Sequence, residues 1–313
     1  MSQLQASPSP PGFTLRQRNE LPVIEINNAH ARATIALQGA QLLEYTPHGQ
    51  QPVIWLSEQA AYQRGQSVRG GIPICWPWFG ALERNPEPVR AMTRGTDLPA
   101  HGLVRSLDWA LRRIDQQHDH TQQDTTQQDT TAITFGHITD CRSQQHWPHC
   151  AELELEIRMG RSLRLQLTTR NLGAALITLT QALHTYFAVS DITAVEVTGL
   201  EQLRYIDTLD NWRETAQAGS VRFTDETDRI YCDVPERLVL HDSGWHRRIE
   251  IRTRHSSSAV VWNPWIGKSQ RLSQFASDAW RGMVCIETAN VLEDSVAIEP
   301  AAAASIALEI TLL

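Results

Sequence analysis

From Ala151 to Leu167 the chain reads AELELEIRMGRSLRLQL. Apolar residues fall at Ala151, Leu153, Leu155 and Ile157, and again at Leu163, Leu165 and Leu167, with Glu, Arg and Gln between them. A repeat of two puts all the apolar side chains on one face of an extended strand, whereas a helix needs a repeat near 3.6. The same alternation marks Thr34 to Leu37. Working outward, further strands are expected at Ile177–Leu183, Val195–Leu200, Arg237–Leu240, Ile249–Arg252, Ala259–Trp262, Val284–Glu287 and Ile306–Leu312, with Gly, Pro, Asn and Asp clusters between them. Amphipathic helices are scarce, and only Ala60–Gln63 and Leu272–Ala276 offer a turn or two. Many short strands in a chain of 313 residues, too long for one simple barrel, predict an all-β fold, a large antiparallel sandwich.

Composition narrows the function classes. With 41% hydrophobic and 20% charged residues the chain can build a core and is neither disordered nor fibrous. A net charge of −7 argues against nucleic-acid binding through a basic surface. No apolar run is long enough to span a membrane, and the start, MSQLQASPSPPGF, lacks the charged and apolar regions of an export signal. Five cysteines, odd in number and without a CxxC pair, suit a reducing compartment better than a disulfide framework, which predicts a cytoplasmic protein. Residues 1–12, rich in Ser, Pro and Gln, are expected to be a disordered tail, and residues 13–313 a single domain. Gln116–Thr131, with TQQDT twice in tandem and no apolar residue, is expected to be a solvated loop between two strands.

Five segments place acid, base or anion-binding groups in stretches otherwise suited to burial. In SVRGGIPICWPWFG (67–80), Arg69 precedes two glycines that let backbones pack closely beside a guanidinium fork. A surface arginine on a Gly-rich bend is the plainer alternative. In LPAHGLVR (98–105), His101 and Arg105 share a face if the segment is extended, although a histidine beside a glycine is more often structural. QALHTYF (181–187) ends an apolar run on His184, a side chain able to give and take a proton near neutral pH. VCIET (284–288) carries Glu287 at the end of an apolar strand, where desolvation raises a carboxyl toward base strength. For both, the alternative is a strand-end residue facing water. VWNPW (261–265) adds Trp262, and flat indole faces suit sugar rings as well as cores. A sixth stretch, DETDRIY (225–231), offers Asp228 for sugar hydroxyls or a merely solvated turn.

Other chemistries find less support. His118-Asp119-His120 and the group His146, His149 and Cys150 match no standard ligand spacing, so no metal is expected. There is no GxGxxG after a strand, no GxxxxGK[ST] and no GxSxG, and no cofactor is implied.

Taken together and in order, SVRGGIPICWPWFG, HGLVR, LHTYF, DETDRIY, VWNPW and CIET resemble the D-hexose-6-phosphate mutarotases, or glucose-6-phosphate 1-epimerases, of the aldose 1-epimerase superfamily. The resemblance runs from about Leu37 to the C-terminus. It implies one galactose mutarotase-like domain, an antiparallel β-supersandwich, that interconverts α and β anomers of a hexose 6-phosphate without a cofactor. By the same resemblance His184 is the general acid and Glu287 the general base. Arg69 and Arg105 bind phosphate and sugar, Asp228 is the substrate carboxylate, and His101 is the second pocket histidine, a hydrogen-bonding group. Many relatives have Gln where this chain has Ala100, which removes one polar contact. The partner implied is a small sugar phosphate, bound by a monomer, with no nucleic acid or membrane.

The chemistry of ring opening agrees, since one proton must leave the anomeric hydroxyl and another must reach the ring oxygen. An aldose 1-epimerase acting on free hexoses and a non-catalytic carbohydrate-binding protein are the alternatives, the latter needing the tryptophans and arginines but not His184 and Glu287. A glycoside hydrolase would need two carboxylates, for which Glu287 and Asp228 are available.

Overall fold

The computed structural model describes residues 12–119, 128–142 and 144–313. Residues 1–11 of the expected tail, His120 and the centre of the TQQDT stretch lie outside them. Gly12 already belongs to the fold, because its carbonyl accepts the Asn27 amide at 2.8 Å.

Two large antiparallel sheets make up the sandwich. One has nine strands in the order 221–222, 195–198, 237–242, 247–254, 303–312, 163–171, 151–159, 128–139 and 110–119. The other has eight, in the order 213–216, 204–207, 227–232, 258–263, 283–290, 181–183 and 74–75, with 186–188 also pairing on 283–290. A four-stranded meander of residues 13–18, 21–27, 31–36 and 42–47 and a two-stranded sheet of 177–179 and 296–298 accompany them. The stretch that predicts the fold forms a hairpin with Leu155 opposite Leu167 and Ile157 opposite Leu165. Its apolar side chains are buried, and one continuous core joins them to the inward faces of the other sheets.

The structure corrects the sequence reading in several places. Ile177–Leu183 is two strands in different sheets, because at Thr180 the backbone turns to bond the Pro77 carbonyl at 3.1 Å. Neither Ala60–Gln63 nor Leu272–Ala276 is helical; the two loops are tied together instead, Gln274 accepting from the Ala61 amide at 3.0 Å and from the Ser57 hydroxyl at 2.6 Å. Among the described residues the α-helices are Glu87–Arg90 and Trp265–Ser269, each preceded by a proline, Pro86 and Pro264. Part of the expected solvated loop is ladder, with Gln116 opposite Thr131 and Asp119 opposite Gln128. Cys141 and Cys150 form a disulfide, their Cα atoms 4.7 Å apart, against the expectation that the cysteines suit a reducing compartment better than a disulfide framework. Nothing in odd number or spacing reveals that one turn brings these two together. Cys75, Cys232 and Cys285 are free. Among the described residues no helix is long and apolar enough to cross a membrane.

Two glycines hold the site segments in place. Gly71, at φ +69°, lies where a Cβ would stand 2.3 Å from the Leu42 carbonyl oxygen. Gly102, at φ +77°, leaves 2.0 Å to the Trp76 carbonyl oxygen, which accepts the Leu103 amide at 2.8 Å. Any side chain at either position would force the site loops off the sheet.

Candidate active site

Strand pairing assembles the floor of the site. Asp228 pairs with Trp262, Trp262 with Cys285, and Cys285 with Tyr186, so these four form one row across four strands. Two residues along, Ile230, Val260 and Glu287 form the next row on the same face. This face opens into a cavity of about 480 Å³ lined also by Arg69, Phe79, Arg84, His101, His184, Tyr186, Trp212 and Lys268. The alternation that builds a core elsewhere here presents polar groups to a hollow.

Glu287 sits in the middle of a strand whose eight residues are all buried, and not at a strand end facing water. His184 occupies the break between 181–183 and 186–188, its amide held by the Pro73 carbonyl at 3.0 Å. The break lets the imidazole leave the ladder and meet Glu287, Nε2 to Oε1 at 3.3 Å. Its ring stacks on Tyr186, centroids 4.8 Å apart, and stands edge-on to Trp262. Glu287 is 2% exposed and His184 8%, and burial dominates both proton affinities. It drives the Glu287 carboxyl well above the usual carboxylate range, aided by the Asp228 charge. It drives His184 well below the usual histidine range, aided by His101, Arg105 and Arg69. Both shifts favour the uncharged partners, with the pair's proton on the carboxyl. Glu287 Oε2 and His184 Nδ1 have no partner among the described residues.

His101 and Arg105 are not on an extended strand. His101 has a left-handed φ of +66° and Arg105 lies in a 3₁₀ turn, Val104–Ser106. Both still reach the site, along different walls. His101 Nδ1 faces the Gly80 amide at 3.4 Å and the Cys75 thiol at 3.4 Å. An amide N–H can only donate, so Nδ1 accepts and the ring proton belongs on Nε2. Burial, reinforced by Arg105 and Arg69, pushes the His101 pKa down to about 3. The expected result is a histidine that stays neutral, with Nε2 protonated, from pH 8 down to about pH 4. Its ¹⁵N shifts across that range check this, and titration near pH 6.5 would overturn it. The sign for stability follows: the unfolded histidine takes a proton that the folded one refuses, so this group's contribution is present above pH 6.5 and is lost as pH falls toward 3.

Arg69 donates to the Tyr186 hydroxyl at 3.4 Å and to the Ser273 carbonyl at 3.4 Å. Arg105 donates to the Ala100 carbonyl at 2.9 Å. The two guanidiniums line a smaller polar cavity of about 370 Å³ with Ser67, His101, His184 and Tyr186, adjoining the first at Arg69. Neither has a carboxylate within ion-pair distance among the described residues. Half-buried Asp228 does, with Lys268 3.7 Å away. Desolvation raises the Asp228 carboxyl and the Lys268 charge opposes the rise. Lys268 also reaches Glu226 at 3.3 Å and lies over the Trp262 ring.

All seven residues singled out in the sequence therefore border one of two adjoining cavities. Tyr186 was missed, although it lies two residues after His184 and period two would have put it on the same side. Lys268, Arg84 and Trp212 were also missed. Trp212 comes from a turn, Arg84 from a 3₁₀ turn and Lys268 from the five-residue helix, all too short to show a period, and Arg84 lies over the Trp212 ring at 4.8 Å. The other histidine groups are engaged elsewhere: His149 Nε2 with the Met92 carbonyl at 2.9 Å, His146 Nδ1 with the Arg94 carbonyl at 3.4 Å, and Cys150 in the disulfide.

Comparison with known proteins places these features in context. A sequence profile of the family described as aldose 1-epimerase matches residues 22–310. The protein named "Putative glucose-6-phosphate 1-epimerase" in Escherichia coli K12 is 33% identical over 90% of this chain and 88% of its own. One of the same name from Cenchrus ciliaris is 29% identical over 94% and 85%. The crystal structure of a "putative mutarotase" from Salmonella typhimurium superposes with a TM-score of 0.84 at 29% identity, covering 100% of this chain and 95% of that one.

Proposed function

The chain belongs to the aldose 1-epimerase family and is an isomerase, and from that premise we propose that it interconverts the α and β anomers of a hexose 6-phosphate, with glucose 6-phosphate as substrate. The observation that carries this reading is the buried contact of His184 and Glu287 at 3.3 Å beside a cavity with two arginines that have no carboxylate partner among the described residues. The curated relatives' names point to the same substrate.

Glu287 takes the proton of the anomeric hydroxyl while His184, as imidazolium, delivers one to the ring oxygen, and the C1–O5 bond breaks. The aldehyde turns about C1–C2, and reclosure with the roles reversed returns both protons. The pair holds one proton throughout, apart from those of the sugar at the moment of transfer. Its charged form opens the ring and its neutral form waits on the aldehyde. At 3.3 Å the Coulomb attraction favours the charged form and burial favours the neutral one. Because the terms oppose each other, the attraction narrows the gap that burial opens between the two forms, as a reversible shuttle requires. The phosphate lies in the smaller cavity against Arg69 and Arg105, and its negative charge favours the imidazolium. His101 donates its Nε2 proton to a sugar oxygen, Asp228 accepts from sugar hydroxyls, and the Trp262 face packs on the ring.

Removing the phosphate anchor provides the test. Arg69→Ala and Arg105→Ala are each expected to raise KM for glucose 6-phosphate by about 10- to 100-fold, the cost of one charged hydrogen-bonding group. The KM for free glucose should change less than about threefold. NMR exchange between anomers, above the spontaneous background, measures both. Equal effects on the two sugars would overturn the phosphate assignment in favour of a free-hexose enzyme, and no acceleration of either by the parent protein would favour a carbohydrate-binding protein. The same reading takes the chain as one domain over residues 13–313 acting as a cytoplasmic monomer. Three free thiols support that compartment, and the Cys141–Cys150 disulfide weighs against it.

A further inference from the structure

Cys285 takes no part in the reaction proposed above, yet it lies on the same face of the same strand as Glu287. Its thiol, a carboxylate oxygen of Glu287 and a ring nitrogen of His184 all lie within 4.8 Å of one another. All three residues are buried, and Glu287 Oε2 has no hydrogen-bond partner among the described residues. We propose that His184, Cys285 and Glu287 form a zinc-binding site, and that zinc bound there blocks the active site in competition with sugar phosphate.

The geometry fits the metal. Zinc bonds to imidazole nitrogen and carboxylate oxygen at about 2.0–2.2 Å, so two such ligands at the tetrahedral angle stand about 3.3 Å apart. His184 Nε2 and Glu287 Oε1 are 3.3 Å apart already. The Cys285 sulfur, with its longer bond of about 2.3 Å, has to stand roughly 3.5 Å from the other two, and it already lies within 4.8 Å of them. Three protein ligands leave the fourth position to water.

Charge and softness fit as well. A thiolate and a carboxylate neutralise the dication, so no net charge is buried even with Arg69 and Arg105 nearby. Binding removes the thiol proton and the single proton shared by His184 and Glu287, so about two protons leave per zinc. A thiolate with an imidazole selects zinc or cobalt over magnesium and calcium, which prefer oxygen ligands. Because His184 and Glu287 spend their lone pairs on the metal, neither can move a proton while it is bound. The inhibition rests on the function proposed above; the binding does not.

Cobalt(II) titrated into the full metal-free chain separates the two. The expected spectrum shows tetrahedral d–d bands and a thiolate-to-cobalt charge-transfer band, all lost on adding zinc. Cys285→Ala should abolish the charge-transfer band and raise the zinc concentration for half inhibition about 100-fold, leaving anomer exchange without zinc within about twofold of the parent. Cys285→Ser provides a second variant should the alanine chain fold poorly. A chain with Cys75→Ala and Cys232→Ala should retain the band. Absence of the band in the parent, or undiminished zinc inhibition in both Cys285 variants, would overturn the site. A cobalt spectrum of the expected form in a protein without epimerase activity would leave the metal site standing and overturn the function.

Discussion

Glu287→Gln is expected to slow catalysed anomer exchange about a thousandfold, equivalent to roughly 4 kcal/mol of transition-state stabilisation, with the melting temperature unchanged or slightly raised. The substitution keeps size and shape in a strand position that is 2% exposed, so packing is preserved. What it removes is the carboxylate that the proposed mechanism uses to take the anomeric proton and return it. The stability half of the expectation follows from burial. Desolvation already raises the Glu287 carboxyl well above its usual range, and a neutral amide escapes that penalty. Anomer exchange by NMR and a thermal melt on the same sample check both halves. A variant that retains more than a tenth of the parent rate would show that another group is the base.

The largest expected loss of stability lies outside the site. Asp242, 1% exposed, stands opposite Arg247 across the 237–242 and 247–254 strands, with a carboxylate-to-guanidinium distance of 3.6 Å. Asp242 also accepts the Ser190 amide at 3.0 Å and the Ser190 hydroxyl. Arg247 donates to the Pro52 carbonyl at 2.9 Å and to the Ala188 carbonyl at 2.5 Å. The pair therefore ties the nine-stranded sheet to residue 188 of the eight-stranded sheet and to the loop after the meander. Asp242→Ala leaves a buried guanidinium without its carboxylate and the Ser190 N–H without an acceptor, at a cost of about 3–5 kcal/mol. In a chain of this size that lowers the melting temperature by about 10 °C. Asp242→Asn, which keeps an acceptor, should lose about half as much. Scanning calorimetry of the two variants decides, and an alanine variant that melts with the parent would mean that the pair contributes nothing net.

Much of this molecule is local in origin. Alternation over Ala151–Ile157 and Leu163–Leu167 is enough to announce a half-buried hairpin, because side-chain direction in a strand depends only on the parity of position. The site residues were legible for a different reason: His184, Glu287 and Arg69 are polar groups in apolar or glycine-rich runs, where they are costly unless employed. Lys268, Arg84 and Trp212 gave no such signal. Each comes from a turn or a very short helix between strands, where a charged or aromatic residue is ordinary, and only the path of the chain brings it to the cavity. The two expected helical turns that do not form and the Cys141–Cys150 disulfide share that cause, since Gln274 ties its loop to distant partners and no period in the sequence marks the disulfide.

The sequence by itself determined the class of fold, the strand faces and the inventory of acid, base and cationic groups, all of which depend on residue type and near neighbours. Only the tertiary structure decided that His184 and Glu287 touch, that Cys285 lies beside them, and that Arg69 and Arg105 share a separate hollow. It also decided which way each group holds its proton. A pKa depends on the water removed and the charges brought close by every strand packed around the group, and none of those neighbours is adjacent in the chain.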